Sequence, residues 1–538
     1  MNLEDIDQND HSKFRLIGRS VLNYRFIVPH DARLYVGDIM KIIDDKKQYT
    51  FFAKVCDLIH DSNFADARWD TRPYSEHFYG LGEEVYISVD AIPLGFIDES
   101  KEFRKPRTIP TKFSRVVEPT ADDFSFLTKV MGDIEVGVMK TGHGILANAI
   151  VKIPSAILTQ HVGVFATTGM GKSNFMKVFA ASCMKMQKFG LLIVDPHGEY
   201  LRGGPSSIGK KTSGLTYYIA GKDGLSIFST RDENERKRYG MNRLWLEFND
   251  FRITDLGILY DISGPQRDII EALTDFSGSE MIEFFRNLDP ETFDANSYTL
   301  LKGKDREIAY KIRNSMSGPL RVIQRRIENL VNGNKQFFRQ SVSSVPEIIR
   351  GLHENRVVLI DIPRMGERSE LFVLSVITRL IMDRHQEKAK AFGIDDEDIM
   401  FPKVLITIEE AQRVLGTSGS GTQVFRECAM EGRKFGVGLC VITQQPKNID
   451  PKILAQINTF VVMGLGDRAD RDIIASSAKQ DLSRMDTEIQ TLDRGEAVIS
   501  TIGIPFPVST KIHLFEEYVK ELNGAPKRLI SKDLENHF

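Results

Sequence analysis

At 538 residues the chain is long enough for three or four folding units of about 150 residues each, with a full buried core. A hydrophobic fraction of 41% and a charged fraction of 27% are those of an ordinary globular protein and exclude disordered and collagen-like classes. Lys and Arg number 71 against 74 Asp and Glu, a net charge of -3 that excludes a generally basic nucleic-acid coat but leaves room for a local basic strip.

Cys56, Cys183, Cys428 and Cys440 include no CxxC pair, so neither a disulfide framework nor a zinc site is expected, and the pattern implies a reducing compartment. Glu4, Asp5, Asp7 and Asp10 give the N-terminus the wrong sign for a signal peptide. No apolar run approaches the roughly 18 residues that cross a bilayer. The expectation is a cytoplasmic protein with no membrane partner.

In chain order, residues 24–28, 34–36, 39–43, 51–55 and 84–89 read as short strands separated by turns. They predict a small β-barrel or sandwich, followed by a linker at Lys105-Pro-Arg-Thr-Ile-Pro. Beyond about residue 121 the texture changes to well-separated apolar runs at 162–165, 190–194, 357–360, 404–408, 439–442 and 459–463, several with helical segments between them. Runs of this kind are buried on both faces, which predicts a parallel α/β sheet. Between 261 and 351 the pattern is helical instead, with helices expected at 266–276, 280–287, 307–316 and 319–331. Lys302, Lys304, Arg306, Lys311, Arg313, Arg321, Arg325 and Arg326 form a basic strip there, which reads either as a solvated helix face or as a nucleic-acid surface.

The strongest local signal is Ala166-Thr-Thr-Gly-Met-Gly-Lys-Ser173, a P-loop in which Ala166 replaces the first glycine. An expected strand precedes it and a helix over 174–186 follows. Gly169 and Gly171 let the backbone curl so that its N–H groups point at a phosphate, and the helix N-terminus adds its partial positive charge. Thr167, Thr168, Gly169, Met170, Gly171, Lys172, Ser173 and Asn174 are therefore the candidate ATP-binding residues. Lys172 reaches the β and γ oxygens, and Ser173 offers a hydroxyl to Mg²⁺.

A P-loop needs carboxylates for the metal and the water. Glu409 and Glu410, at the end of an apolar strand, fit those roles: Glu409 for the Mg²⁺ shell and Glu410 to polarise the attacking water. Asp195 ends another strand in Asp195-Pro-His-Gly-Glu-Tyr200, where a catalytic acid and a turn cap are both open readings. His197 has no partner ligands at metal spacing and reads as a turn residue. Arg433, in Glu431-Gly-Arg-Lys-Phe-Gly436, is either an ordinary surface residue or an arginine finger for a neighbouring subunit. Gln444 and Gln445, at the end of the next strand, are candidates for sensing the γ-phosphate.

These motifs in this order resemble the HerA family, ATPases of the FtsK–HerA branch of P-loop motors. The matching residues include His161-Val-Gly-Val-Phe, Asp195-Pro-His-Gly-Glu-Tyr, Gly432-Arg-Lys-Phe-Gly, Gln456-Ile-Asn-Thr459 and Gly495-Glu-Ala-Val. The resemblance implies an N-terminal β-barrel over 1–115, a RecA-like α/β core in two parts at 121–260 and 352–515, a helical insertion at 261–351 and a C-terminal extension at 516–538. It also implies that Glu410 is the catalytic glutamate, Asp195 an additional catalytic acid and Arg433 a finger acting in trans. Glu409 stands where the family has Asp, Gln412 where it often has His, and Gln445 where it often has Arg.

Motors of this branch thread double-stranded DNA through a ring. The implied protein is thus a homo-hexameric, ATP- and Mg²⁺-dependent DNA translocase or helicase, working with a NurA-like nuclease in DNA end processing or repair. The uncharged loop Gly416-Thr-Ser-Gly-Ser-Gly-Thr422 reads either as a pore loop or as a flexible surface loop. Two alternatives follow from the same residues: a ring that assembles and gates an anti-phage effector, and a nucleotide-binding scaffold without turnover.

Overall fold

The structure is a computed structural model that describes residues 14–18, 20–62, 85–142, 144–204, 209, 212–291, 293, 297–363, 365–392, 401–416 and 423–524. The chain divides into two compact units. The first comprises residues 1–154, 165–172 and 458–513, and the second 155–164, 173–457 and 514–538. The chain crosses from one to the other inside the strand Val162–Ala166.

The N-terminal part of the first unit is a seven-stranded antiparallel sheet. Its order is Tyr24–Pro29, Arg15–Leu16, Arg115–Val117, Ile39–Asp44, Tyr49–Ser62, Val85–Ile97 and Phe103–Arg104. Alternation drives it: Tyr24, Phe26 and Val28 are buried, whereas Arg25 forms an ion pair with Asp90 on the neighbouring strand. Tyr24–Pro29 pairs with Val85–Ile97 as well, so six of the strands are linked in a complete circuit. Pro93 lies inside Val85–Ile97 and is accommodated where the register shifts beside Ala53, since a bulge does not need its missing N–H.

Two expectations are corrected here. Residues 34–36 are not a strand but part of a turn, because Gly37 takes φ +95 and the Asp38 carboxylate accepts from the Tyr35 N–H at 2.8 Å. The sheet on this side of the chain is also not parallel. Thr459–Met463, Glu496–Thr501, Val508–Ile512, Ile134–Lys140 and Ile145–Ile153 follow one another in antiparallel register. Thr459–Met463 is buried at every position, so its sequence looks like that of a parallel strand.

The second unit holds the expected parallel strands, in the order Asn242–Arg243, Leu225–Ser229, Val357–Asp361, Gly190–Asp195, Val404–Ile408 and Val437–Thr443. Their carboxyl ends bring Ser229, Asp361, Asp195, Glu409 and Gln444 to one edge, the edge where open α/β sheets place ligands. Helices Gly264–Ala272, Gly278–Asn287, Gly303–Ile312 and Ser317–Gly333 occupy the helical stretch. Ser263 and Ser277 head the first two in capping boxes with Gln266 and Glu280. Gly303–Ile312 begins a turn before its expected start, and Gly264–Ala272 stops short of residue 276. Leu320, Ile323, Ile327 and Leu330 line the buried face of the longest at helical spacing. Among the described residues, no helix is long and apolar enough to cross a membrane.

His161, just before the strand Val162–Ala166, is buried and takes φ +66, a backbone region that bulky residues rarely visit. Its Nδ1 accepts the Leu439 N–H at 3.0 Å, and the other ring nitrogen serves the Ala429 carbonyl. Burial pushes this imidazole down to about 4 from its ordinary 6.5. The folded value lies below the unfolded one, so the neutral ring's contribution is complete above 6.5 and is lost as the pH falls toward 4. By linkage the loss at pH 5 is about 2 kcal/mol. Urea unfolding at pH 7.5 and pH 5 should show the wild type losing about that much more stability than His161→Asn, which keeps an acceptor at the same place and tolerates the backbone angle. Equal losses would show that another group is responsible.

Candidate active site

The P-loop takes the conformation its glycines allow, with Gly169 at φ +86 and Gly171 at φ +105. A Cβ on Gly169 would meet nothing within 4 Å, so the loop leaves open room on that side. The loop is tied from far along the chain. The Thr167 N–H and hydroxyl both donate to the Gly464 carbonyl at 3.1 Å, and the Gly495 N–H donates to the Met170 carbonyl at 3.0 Å. Arg471 braces the segment after Gly464, donating to the Leu465 and Gly466 carbonyls while held by Asp486. Lys172 opens the 15-residue helix Lys172–Met186, and Ser173 is exposed on its first turn. Asn174 serves the fold as well, since its side-chain oxygen accepts the Phe515 N–H at 2.9 Å.

In the second unit, Glu410 sits just past the strand Val404–Ile408 at φ +46. Its two carboxylate oxygens are held by two amides. Gln412 Nε2 donates to Oε2 at 2.7 Å, and Gln444 Nε2 donates to Oε1 at 3.0 Å. The Thr443 hydroxyl in turn donates to Gln412 Oε1 at 2.6 Å, which fixes the orientation of that amide. Gln444 is thus brought to Glu410, but Gln445 is not: its side-chain oxygen accepts from Asn448 Nδ2 at 2.7 Å within the following turn.

Glu409 accepts a hydrogen bond from the Tyr200 hydroxyl. Burial, with Asp195, Glu199 and Glu370 nearby, pushes its carboxyl up to about 7. Asp195 is buried, and its carboxylate accepts the N–H groups of Glu199, Tyr200 and Leu201 at 3.1, 2.9 and 3.0 Å. That is a turn cap: Asp195 shapes the Asp195-Pro-His-Gly-Glu-Tyr turn, and the turn delivers Tyr200 to Glu409. On the neighbouring strand the buried Asp361 accepts from Ser229 and from Arg231 Nε at 2.7 Å, a cluster that sequence reasoning misses because its members lie 130 residues apart.

Arg433 is exposed on the 3-10 turn Gly432–Phe435, which ends at Gly436 with φ +72. Gly416 is the only residue of the uncharged 416–422 loop inside the described residues, and its carbonyl accepts from Arg426. Much of the basic strip is locally neutralised: Lys304 pairs with Glu307, Lys311 with Asp275 and Arg321 with Glu291. Arg313 stacks on Tyr310 at 4.0 Å.

Nucleotide and metal can be tested against these residues. Open space at Gly169, left-handed glycines on either side of Met170 and an exposed hydroxyl at Ser173 fit a triphosphate and its hard cation. Among the described residues no group of three or more His, Cys, Asp or Glu forms a metal site without such a ligand. The anchor of the loop predicts a measurable effect. Thr167→Val removes the hydroxyl donor to Gly464 and should raise the dissociation constant for ADP several-fold, about 1 kcal/mol, in a calorimetric titration.

Residues 134–381 match the family model described as the central domain of the HerA helicase. The DNA double-strand break repair helicase HerA of Pyrococcus furiosus is 22% identical over 493 residues, which cover 85% of this chain and 82% of that protein. The protein of the same name from Saccharolobus solfataricus is 24% identical, covering 78% of this chain and 76% of its own. Among solved structures, the bacterial conjugative coupling protein TrwB is similar at 14% identity and a TM-score of 0.45, covering 74% of this chain and 93% of that one. The matched region contains the P-loop, and the similarity to the curated HerA helicases extends over most of the chain: residues 134–381 are similar to the central domain of HerA.

Proposed function

We propose that the protein is an ATP-driven motor on double-stranded DNA, built as a homo-hexameric ring of RecA-like cores, with the strand circuit of its N-terminal region forming a small barrel. The observation that carries the chemistry is the clamp on Glu410. A carboxylate accepting from two neutral amides is held in one orientation, which is what a base needs if it is to take a proton from a water attacking the γ-phosphate. Support for DNA as the track comes from the curated relatives, whose names describe DNA double-strand break repair helicases.

In this reading the backbone of residues 167–171 and the Lys172 ammonium bind and orient the phosphates, and the helix N-terminus favours their charge. Ser173 and Glu409 would hold Mg²⁺, which neutralises phosphate charge when bound. Tyr200 orients Glu409 through its hydroxyl. Glu410 takes the proton of the attacking water onto its carboxylate. Gln444, bonded to that carboxylate, is placed to register whether the base is charged. Asp195 is a positioning residue rather than an acid. Arg433, exposed on its turn, offsets charge developing on the γ-phosphate in a neighbouring subunit. A nuclease partner would cleave the DNA that the motor delivers, and the N-terminal strands are the proposed docking platform.

Steady-state ATPase with and without linear double-stranded DNA tests the proposal. DNA should stimulate the wild type. Glu410→Gln should retain ATP binding and lose at least about 100-fold in turnover, and Lys172→Ala should lose both. Wild-type turnover in Glu410→Gln would overturn the assignment of the base. Turnover that ignores DNA but rises with an effector protein would replace the DNA motor with an effector-gating ring. Mixing inactive Arg433→Ala with inactive Lys172→Ala should restore activity if the arginine works across subunits, and no restoration would rule that out.

A further inference from the structure

The Arg433 turn is held from behind by two histidines that the ATPase reading does not use. His385, on the 26-residue helix Glu367–Phe392, is buried, and its Nδ1 lies 2.7 Å from the Phe435 carbonyl oxygen. Its Nε2 lies 2.9 Å from Nε2 of His353, the last residue of the helix Val345–His353. A carbonyl only accepts, so Nδ1 of His385 carries the proton. A neutral ring has one N–H, which makes Nε2 of His385 the acceptor and Nε2 of His353 the donor. The two tautomers are thereby fixed in a single direction: His353 donates to His385, and His385 donates to Phe435.

We propose that His385, backed by His353, is a positioning residue for Arg433, the two imidazoles forming a one-way hydrogen-bond relay that locks the main chain of the Gly432–Phe435 turn. The inference rests on the reading of Arg433 as the residue that meets the γ-phosphate.

Several features support a built device rather than a chance contact. The turn has little slack, since a Cβ on Gly432 would lie 2.6 Å from the Val437 carbonyl oxygen and Gly436 is left-handed. Phe401 stacks on the His385 ring at 6.1 Å, restricting its tilt. His353 is half-buried and lines a cleft of about 660 Å³ with Arg350, Glu354, Asp383, Arg384 and Glu387, so the outer end of the relay reaches solvent while the inner end does not. Burial, the neighbouring His385 ring and the nearby Lys388 and Arg384 hold His353 down to about 4, and burial and Lys388 lower His385. On the turn itself the charged neighbours are Arg433 and Lys434, also cations. Both rings are therefore neutral at physiological pH, as the relay requires. His161 braces the same stretch as well, through Ala429 and Leu439, so the segment bearing Arg433 is pinned by imidazoles at three points.

The test uses the full-length protein and ATP turnover. His385→Ala should lower kcat at least about ten-fold with the KM for ATP within two-fold of wild type, because the nucleotide site is untouched and only the arginine is misplaced. His385→Asn, whose amide N–H can occupy the Nδ1 position, should recover most of the loss, and unchanged ADP affinity in both would show that the fold is intact. Arg433→Ala is measured alongside, with an expected loss of about 10³-fold in kcat. A wild-type kcat in His385→Ala beside an impaired Arg433→Ala would overturn the relay and leave the arginine's role standing. A wild-type kcat in Arg433→Ala would overturn the arginine's role and the relay with it.

Discussion

Holding an ionised carboxylate still at the rim of an apolar sheet is the constraint around which the second unit is arranged. The strand Val404–Ile408 is buried at every position, and immediately beyond it the chain must carry two acids. Glu410 is held by amide donors from Gln412 and Gln444, and the Thr443 hydroxyl orients one of those amides. None of these partners titrates, so the donors to the carboxylate do not themselves change with pH. Glu409 meets the same problem differently: burial raises its affinity for a proton, and the Tyr200 hydroxyl is its main support. Two adjacent glutamates therefore have distinct environments.

The same economy of means governs the turn bearing Arg433. An exposed arginine on a short 3-10 turn has many rotamers, and what the protein controls is the main chain beneath it. Here that control comes from imidazoles on three separate segments: His385 and His161 are bonded to backbone groups, and His353 is bonded to the His385 ring. Where a carboxylate or an arginine would have brought charge into a buried site, a neutral ring supplies one donor and one acceptor and no net charge.

Much of this was legible in the sequence because it is local. Gly169, Gly171, Lys172 and Ser173 lie within five positions, and an apolar run ending in Glu409-Glu410 announces a strand with acids at its tip. What escaped reading is non-local. The pairing of Gln444 with Glu410 spans 34 residues, and Asp361 meets Arg231 across 130. Residues 34–36 look like a strand by composition, yet Gly37 and Asp38 turn the chain there. The antiparallel direction of the later strands of the first unit was hidden for a different reason. Full burial erases the alternation that marks direction, so Thr459–Met463 reads the same whichever way its neighbours run. Asp195 shows the converse case. Two sequence readings were open for it, and the turn-cap reading is met by three main-chain donors that the sequence does not reveal.

The tie between Thr167 and Gly464 has a temporal meaning. The two residues are 297 positions apart, so the nucleotide loop emerges from the ribosome long before the carbonyl that secures it. At about 5–20 residues per second that interval is roughly 15–60 s. Gly495, which holds the other side of the loop through Met170, follows later still. A nascent chain that already displays its phosphate-binding motif still lacks both anchors of that loop. The loop therefore reaches its tied form only once the last strands of the first unit have been made.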